Sequence, residues 1–491
     1  MTGAVTLPAI IQGGMGVGVS NWVLARAVAS RGHLGVVSGT CLDTLFVRRL
    51  ADGDAGGHLR RAIDAFPIPG VGAAVLDRYF RPGGRSPGEP YPSLPMFRQT
   101  MKKSRLELTL LANFVEVYLA REGHDGRVGI NLLTKVAMPN LPSLYGAMLA
   151  GVDAVLMGAG IPREIPGCLD RLAGHEPASM RFEVSGPAGD SEDLLRFDPG
   201  EHWEGTPPAI ERPAFLAIVA SNSLATMLVR KANGRVDGLV IEGPTAGGHN
   251  APPRGRDIPV NDRGEPIYGE RDDVDLAGIA ELGVPFWLAG GAGRPGRLAE
   301  AQAAGARGIQ VGTLFAYCEE SGLRPTLKRR VIDQSKGGGV DVLTDTRASP
   351  TGFPFKVVQL RRTLSGEEAY RARTRVCDLG YLRTAYRKED GRVDYRCPAE
   401  PIETYVKKDG VREDAEGRKC LCNALMANLG HGQVRSDDVV EQPLLTSGDD
   451  VRILGSFLAG RRSYTAADVI DYLLAGTESP VPAYASASQP K

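Results

Sequence analysis

The sequence predicts a closed TIM (β/α)8 barrel with loop insertions and a C-terminal extension, and three observations carry the prediction. Short runs rich in Val, Ile and Leu recur along the first two thirds of the chain, most of them ending in glycine. Segments with helical spacing of apolar residues separate most of these runs. The 491 residues suffice for one barrel of ~250 residues plus substantial further structure.

The apolar runs read as buried parallel strands, which are hydrophobic on both faces. In chain order they are Ala9 to Gly16, Leu34 to Gly39, Val128 to Leu133 and Ala154 to Gly160, then Phe215 to Ser221, Gly238 to Pro244, Pro285 to Gly291 and Gly308 to Phe315. Ser20 stands as N-cap before NWVLARAVASRG and Asn140 before LPSLYGAMLAG. Eight such strands alternating with helices favour closure over an open doubly wound sheet.

Three stretches exceed a minimal barrel. Asp52 to Arg105 and Arg163 to Arg212 are Pro- and Gly-rich and read as insertions in loops near the active face, able to form a lid. From Ser349 onward the strand pattern stops, and a Lys-, Arg- and Cys-containing region leads to a helical segment at Asp437 to Ala475. The expected organisation is thus a barrel over 1–347, a partly helical extension over 348–478 and a loose tail over 479–491.

Composition narrows the function classes. Hydrophobic residues at 42% and charged residues at 24% fit a globular enzyme and not a disordered chain. Lys plus Arg equals Asp plus Glu at 58 each, so no global field favours nucleic acid or an anionic membrane. No apolar run reaches the ~18 residues of a membrane span, and Met1 to Gly14 lacks a signal-peptide pattern, so the expected location is cytoplasmic. There the seven cysteines are expected to stay reduced.

In a barrel of this kind a phosphate rests on backbone N–H groups after strands seven and eight. Glycines stand at both places: Gly290, Gly291 and Gly293 in AGGAGRPG, and Gly312 beside Thr313. Such turns let the backbone approach an anion, with a helix start behind them; each alone reads equally as a tight turn, and the pairing is what points to a phosphate. GGMGVG at Gly13 to Gly18 lacks dinucleotide spacing and suits a strand end lying against a planar ring. After strand six, Glu242-Gly243-Pro244-Thr245-Ala246-Gly247-Gly248-His249-Asn250 places a histidine where a substrate could be met, with an ordinary pKa near ~6.5 that suits a general base. A loop histidine facing water is the competing reading.

Taken together, IIQGGMGVGVSNWVLARAVASRGHLGVVSGT, VGINLL, IEGPTAGGHN and WLAGGAGRPGRLAEAQAAGARGIQVGTLFAYCEESG resemble the nitronate monooxygenase (2-nitropropane dioxygenase) family. That family is taken to include flavin-type enoyl-thioester reductases and oxidoreductase components of polyunsaturated fatty acid and polyketide synthases, and the chain's size resembles this larger branch. The likeness runs from Pro8 to Ser321 in the family's order. It implies non-covalent FMN, with Gly13, Gly14 and Met15 lining the ring and Asn131 bonding its edge. It further implies Glu242, Gly247 and Gly248 near the cofactor, His249 as catalytic base, and Gly290, Gly291, Gly312 and Thr313 on the phosphate. Asn250-Ala251-Pro252-Pro253 replaces the Arg-Gly of many relatives, which bears on pocket shape. Phe353-Pro354-Phe355-Lys356 resembles a segment returning to the active face, and reads equally as an aromatic anchor for the extension.

Cys377, Cys397, Cys420 and Cys422 fall in one region and could hold zinc or an iron–sulfur cluster, although one Cys-x-Cys without paired Cys-x-x-Cys knuckles favours packed thiols. The expected activity is oxidation of a nitronate or similar carbanion-like small molecule with O2. The alternatives are NAD(P)H-dependent reduction of an enoyl thioester, with an acyl carrier or synthase partner, and a non-catalytic scaffold barrel. Neither nucleic acid nor membrane is expected as a partner, and the oligomeric state stays open.

Overall fold

The computed structural model describes residues 7–187, 192–255, 258–337, 339–436 and 439–475; the tail expected over 479–491 lies outside them. Eight parallel strands form the central sheet: β1 (Ile10–Gln12), β2 (Gly35–Ser38), β3 (Val128–Leu133), β4 (Ala154–Gly158), β5 (Ala214–Val219), β6 (Gly238–Glu242), β7 (Phe286–Ala289) and β8 (Gly308–Val311). From β2 to β8 each pairs with its chain neighbour, and β8 also pairs with β1 through Ile10 opposite Ile309. Gln12 N–H donating to Leu34 O at 2.9 Å, and Leu34 N–H to Ile10 O at 3.1 Å, tie β1 to the start of β2, so the fold is a TIM barrel.

Alternation along these short strands sorts side chains into two layers. Ile11, Val36, Leu156, Leu216, Val240 and Trp287 fill the barrel, and Ile10, Val37, Val155, Phe215, Leu239 and Ile309 face the helices. Trp287 satisfies its indole N–H on Pro8 O at 2.9 Å. The same inward parity brings Asn131, Glu242 and Gln310 to the carboxyl ends of β3, β6 and β8. Strand pattern therefore determines which polar residues look into the barrel mouth.

Several local expectations are corrected. The strands stop before their glycines: β7 ends at Ala289, and Thr313–Ala316 is a helical turn and not strand. Asn21, not Ser20, caps the helix Trp22–Ala29 by accepting from Leu24 N–H. Asn140 lies within the helix Asn140–Leu149, and its amide donates to Leu133 O at 3.1 Å. The stretch from Arg163 opens with the barrel helix Ile165–Ala173, and only beyond it comes an antiparallel pair, Ala178–Arg181 with Leu194–Phe197.

The extension is built into the barrel. The helix Ala466–Leu474 packs against Trp22–Ala29 and Arg297–Ala303, closing the helical ring between the last and first strands. Tyr464 donates its hydroxyl to Leu314 O at 2.6 Å, and Val451, Leu454, Leu445 and Met426 join the same hydrophobic cluster as the barrel helices. Two further strands, β9 (Val342–Asp345) and β10 (Phe355–Val358), pair antiparallel. Among the described residues no helix is long and apolar enough to cross a membrane.

Candidate active site

A cavity of about 230 Å³ opens at the carboxyl ends of the strands. It brings together Gly13, Gly14, Met15, Asn131, Glu242, Gly247, Gly248, His249, Gly290, Gly312 and Thr313 from five barrel loops. Gly291 stands just outside the wall, turned toward Thr245.

The β1 end is held by a small polar knot. Ser20 Oγ donates to Gly13 O at 2.8 Å and accepts from Met15 N–H at 2.8 Å, while Gln12 Nε2 donates to Ser20 Oγ at 2.8 Å. Gln12 Oε1 accepts from Val36 N–H at 3.0 Å, so one side chain locks this turn to β2. A Cβ on Gly14 would stand 2.2 Å from Asn131 Cβ, which is why only glycine lets the turn lie against β3. Asn131 is buried and faces the cavity.

Gly290 and Gly291 turn the chain after β7 at φ of +88° and +63°. Neither has a hydrogen-bond partner among the described residues, so their N–H groups are free to meet an anion. Inside the barrel mouth, Gln310 Oε1 is buried without a partner, and so is Asn428 Oδ1 on the extension side. Free N–H groups at one end and unpaired amide oxygens along the wall fit a flat, polar-edged group carrying a phosphate, as FMN is.

His249 is placed by backbone pairing with β10. Asn250 N–H donates to Pro354 O and Lys356 N–H to Gly248 O, each at 2.9 Å, and His249 bridges Phe355. The Phe353–Lys356 stretch thus returns to the active face. The imidazole meets the Phe355 ring edge-on with centroids 4.8 Å apart, and its Nε2 lies 2.6 Å from Ser349 Oγ. Ser349 Oγ in turn lies 2.9 Å from Thr351 Oγ1. Burial, helped by the Lys135 ammonium, lowers the His249 pKa to about 4, well below the value its sequence position suggests. Glu242 moves the other way: burial raises its carboxyl to about 8. At neutral pH the cavity therefore holds a neutral imidazole and a neutral carboxylic acid.

Sequence reasoning missed a whole wall. Leu425, Asn428, Leu445, Thr446, Ser447, Gly448 and Asp450 of the extension line the cavity together with Phe355. Among the described residues, none from 52–105 or 163–212 does. Gln310 carried a legible signal, a polar residue at an inward position of an otherwise apolar strand; Thr446 to Asp450 carried none, because their placement depends on long-range packing.

The clustered cysteines are core residues, with Cys397, Cys420 and Cys422 buried and Cys377 half-buried. Burial raises the Cys420 and Cys422 thiols. No three His, Cys, Asp or Glu side chains among the described residues converge in an arrangement that could hold a metal.

The chain is similar to the following known proteins. A probable nitronate monooxygenase from Staphylococcus haemolyticus (strain JCSC1435) is 27% identical over 153 residues, 31% of this chain, and the match spans 42% of that relative's length. Solved structures with a similar course include FabK from Thermotoga maritima (16% identity, 96% of this chain and 93% of that one, TM-score 0.47). They also include nitroalkane oxidase from Streptomyces ansochromogenes (17%, 95% of each chain, TM-score 0.47). A third is the enoyl reductase domain of MlnA from the macrolactin cluster of Bacillus amyloliquefaciens (11%, 95% and 94%, TM-score 0.46). Residues 209–348, which carry Glu242, His249 and both glycine turns of the cavity, match the family model described as nitronate monooxygenase.

Proposed function

We propose that this chain is an FMN-dependent oxidoreductase that oxidises a nitronate or a similar carbanion-like small molecule with O2, with His249 as base. The observation that carries the reading is the convergence of His249 and the two glycine turns on one cavity. FMN, when bound, supplies a two-electron acceptor. Gly290, Gly312 and Thr313, with Gly291 beside them, would hold its phosphate through backbone N–H groups, and the Gly13–Met15 turn and Asn131 would flank its ring. The family match over 209–348 supports the flavin chemistry.

The residues of this chain manage the proton. In the tautomer with Nε2–H donating to Ser349 Oγ, Nδ1 keeps the lone pair that accepts the α-proton of the neutral nitroalkane, leaving the carbanion-like nitronate to be oxidised. A pKa of about 4 keeps that lone pair available throughout the neutral range, although it also makes the imidazole a weaker base than a solvated one. The apolar wall of Leu133, Ile218, Leu323 and Leu425 limits water around the reacting carbon.

A second reading, NAD(P)H-dependent reduction of an enoyl thioester, is favoured by one observation. Glu242, neutral until about pH 8, is a proton donor in the cavity, and reduction of a carbon–carbon double bond requires one. Anaerobic spectra separate the readings. Bleaching of the visible flavin band by a nitronate without nicotinamide supports the first. Bleaching by NAD(P)H alone, followed by reoxidation with an enoyl thioester, replaces it with the second.

A further inference from the structure

The free N–H groups of the β7 turn have a charged neighbour from the far end of the chain. The segment Thr446–Asp450 threads between the loops that follow β6, β7 and β8. Gly248 N–H donates to Thr446 Oγ1 at 2.9 Å, Gly448 N–H to Thr313 Oγ1 at 3.0 Å, and Asp449 N–H to Thr245 O at 3.0 Å. Next in line, Asp450 Oδ2 accepts from Gly293 N–H at 2.9 Å, two residues beyond Gly291, and Asp450 lines the cavity. The carboxylate thus caps the same turn whose first two N–H groups are free.

Backbone N–H groups, and no directly paired cation among the described residues, meet its charge. Asp449 pairs with Lys356 at 3.0 Å, whereas no ion pair within 4.0 Å is formed by Asp450 among the described residues. Arg294, the cation that faces it, is engaged by Glu300 at 2.6 Å. Burial, and less so the neighbouring Asp449 charge, raise the Asp450 pKa against the lowering by the Gly293 and Ala292 N–H groups and by Arg294.

We propose that Asp450 tunes cofactor retention: it shapes the phosphate turn by capping Gly293, and its negative charge opposes the phosphate there, so the pocket holds FMN less tightly than its backbone would allow. The inference rests on the FMN reading above. A capping residue of no electrostatic consequence and a charge that opposes phosphate make opposite predictions for Asp450→Asn, which keeps an acceptor oxygen for Gly293 N–H and removes the charge.

The test is a fluorescence titration of the full-length, flavin-free protein with FMN and with riboflavin, which lacks the phosphate. Asp450→Asn is expected to bind FMN about tenfold more tightly than the parent, the size of one partly screened charge interaction, with riboflavin affinity changed less than about twofold. Asp450→Ser, which also removes the charge, provides the same reading should the Asn variant fold poorly. An FMN-to-riboflavin affinity ratio that stays constant or falls in both variants overturns the proposal while leaving the FMN reading intact. A parent protein that binds neither flavin removes the FMN reading, and this inference with it.

Discussion

Ser349 Oγ lies 2.6 Å from His249 Nε2, and this hydrogen bond joins the loop after β6 to a residue one hundred positions later in the chain. The candidate base is therefore oriented from outside the strand that carries it. Ser349→Ala should leave flavin content unchanged and lower the rate of substrate-driven flavin reduction by about tenfold, less than the ~100- to 10,000-fold attached to a positioned base itself. Ser349→Thr, which keeps the hydroxyl, should recover most of that rate in the same stopped-flow measurement.

Glu242 makes stability fall with rising pH. Its folded-state pKa of about 8 lies above the ordinary 4.5, so the folded protein retains a proton that the unfolded chain gives up between those values. The stabilisation is complete below about 4.5 and is lost as pH rises through about 8. His249 acts oppositely at lower pH, since the unfolded chain binds its proton between 6.5 and about 4 and the folded one does not. Thermal melts of flavin-free Glu242→Gln between about pH 6.5 and 8, where His249 no longer contributes, should therefore show a flatter pH dependence than the parent. Parallel curves would mean that Glu242 is ionised in the folded protein.

The Lys356–Asp449 pair should respond asymmetrically to truncation. The Lys356 side chain is 6% exposed and that of Asp449 is 28% exposed, so removing the carboxylate strands a buried cation, whereas removing the lysine leaves an anion that water reaches. Asp449→Ala is expected to cost about 2–4 kcal/mol and Lys356→Met about half as much, by chemical denaturation. Because Lys356 follows the Phe355 segment that pairs with His249, Asp449→Ala should also loosen the cavity and lower flavin occupancy.

Gly14→Ala tests the contact between β1 and β3. The added methyl would overlap Asn131, so the turn at Gly13–Met15 must shift. Overpacking of this kind costs ~1–3 kcal/mol, and the larger effect should be on flavin content measured by absorbance after purification.

Much of the fold is legible in the sequence because buried parallel strands are nearly continuous apolar runs, and Val128–Leu133 is recovered residue for residue. Strand ends are less so: the readings run on through Gly290–Gly291 and into Thr313–Phe315, where apolar residues continue but the backbone turns. The barrel-side residues of the cavity are local in sequence, each following its own strand, and so they can be found strand by strand. Asn428, Gly448 and Asp450 belong to no repeating pattern; their positions follow from Tyr464, Val451 and Leu454 packing into the barrel's outer layer. Ser20 shows the same limit on a smaller scale. Its place before a helix suggests a cap, yet its hydroxyl is used by Gly13 and Met15.

The most direct test is anaerobic reduction of the FMN-loaded protein by a neutral nitroalkane, whose α-proton must first be removed, followed in parent and His249→Asn at equal flavin occupancy. The parent is expected to bleach without nicotinamide, and the variant to bleach at least ~100-fold more slowly. A variant that keeps its flavin and bleaches as fast as the parent would contradict the assignment of His249 as base.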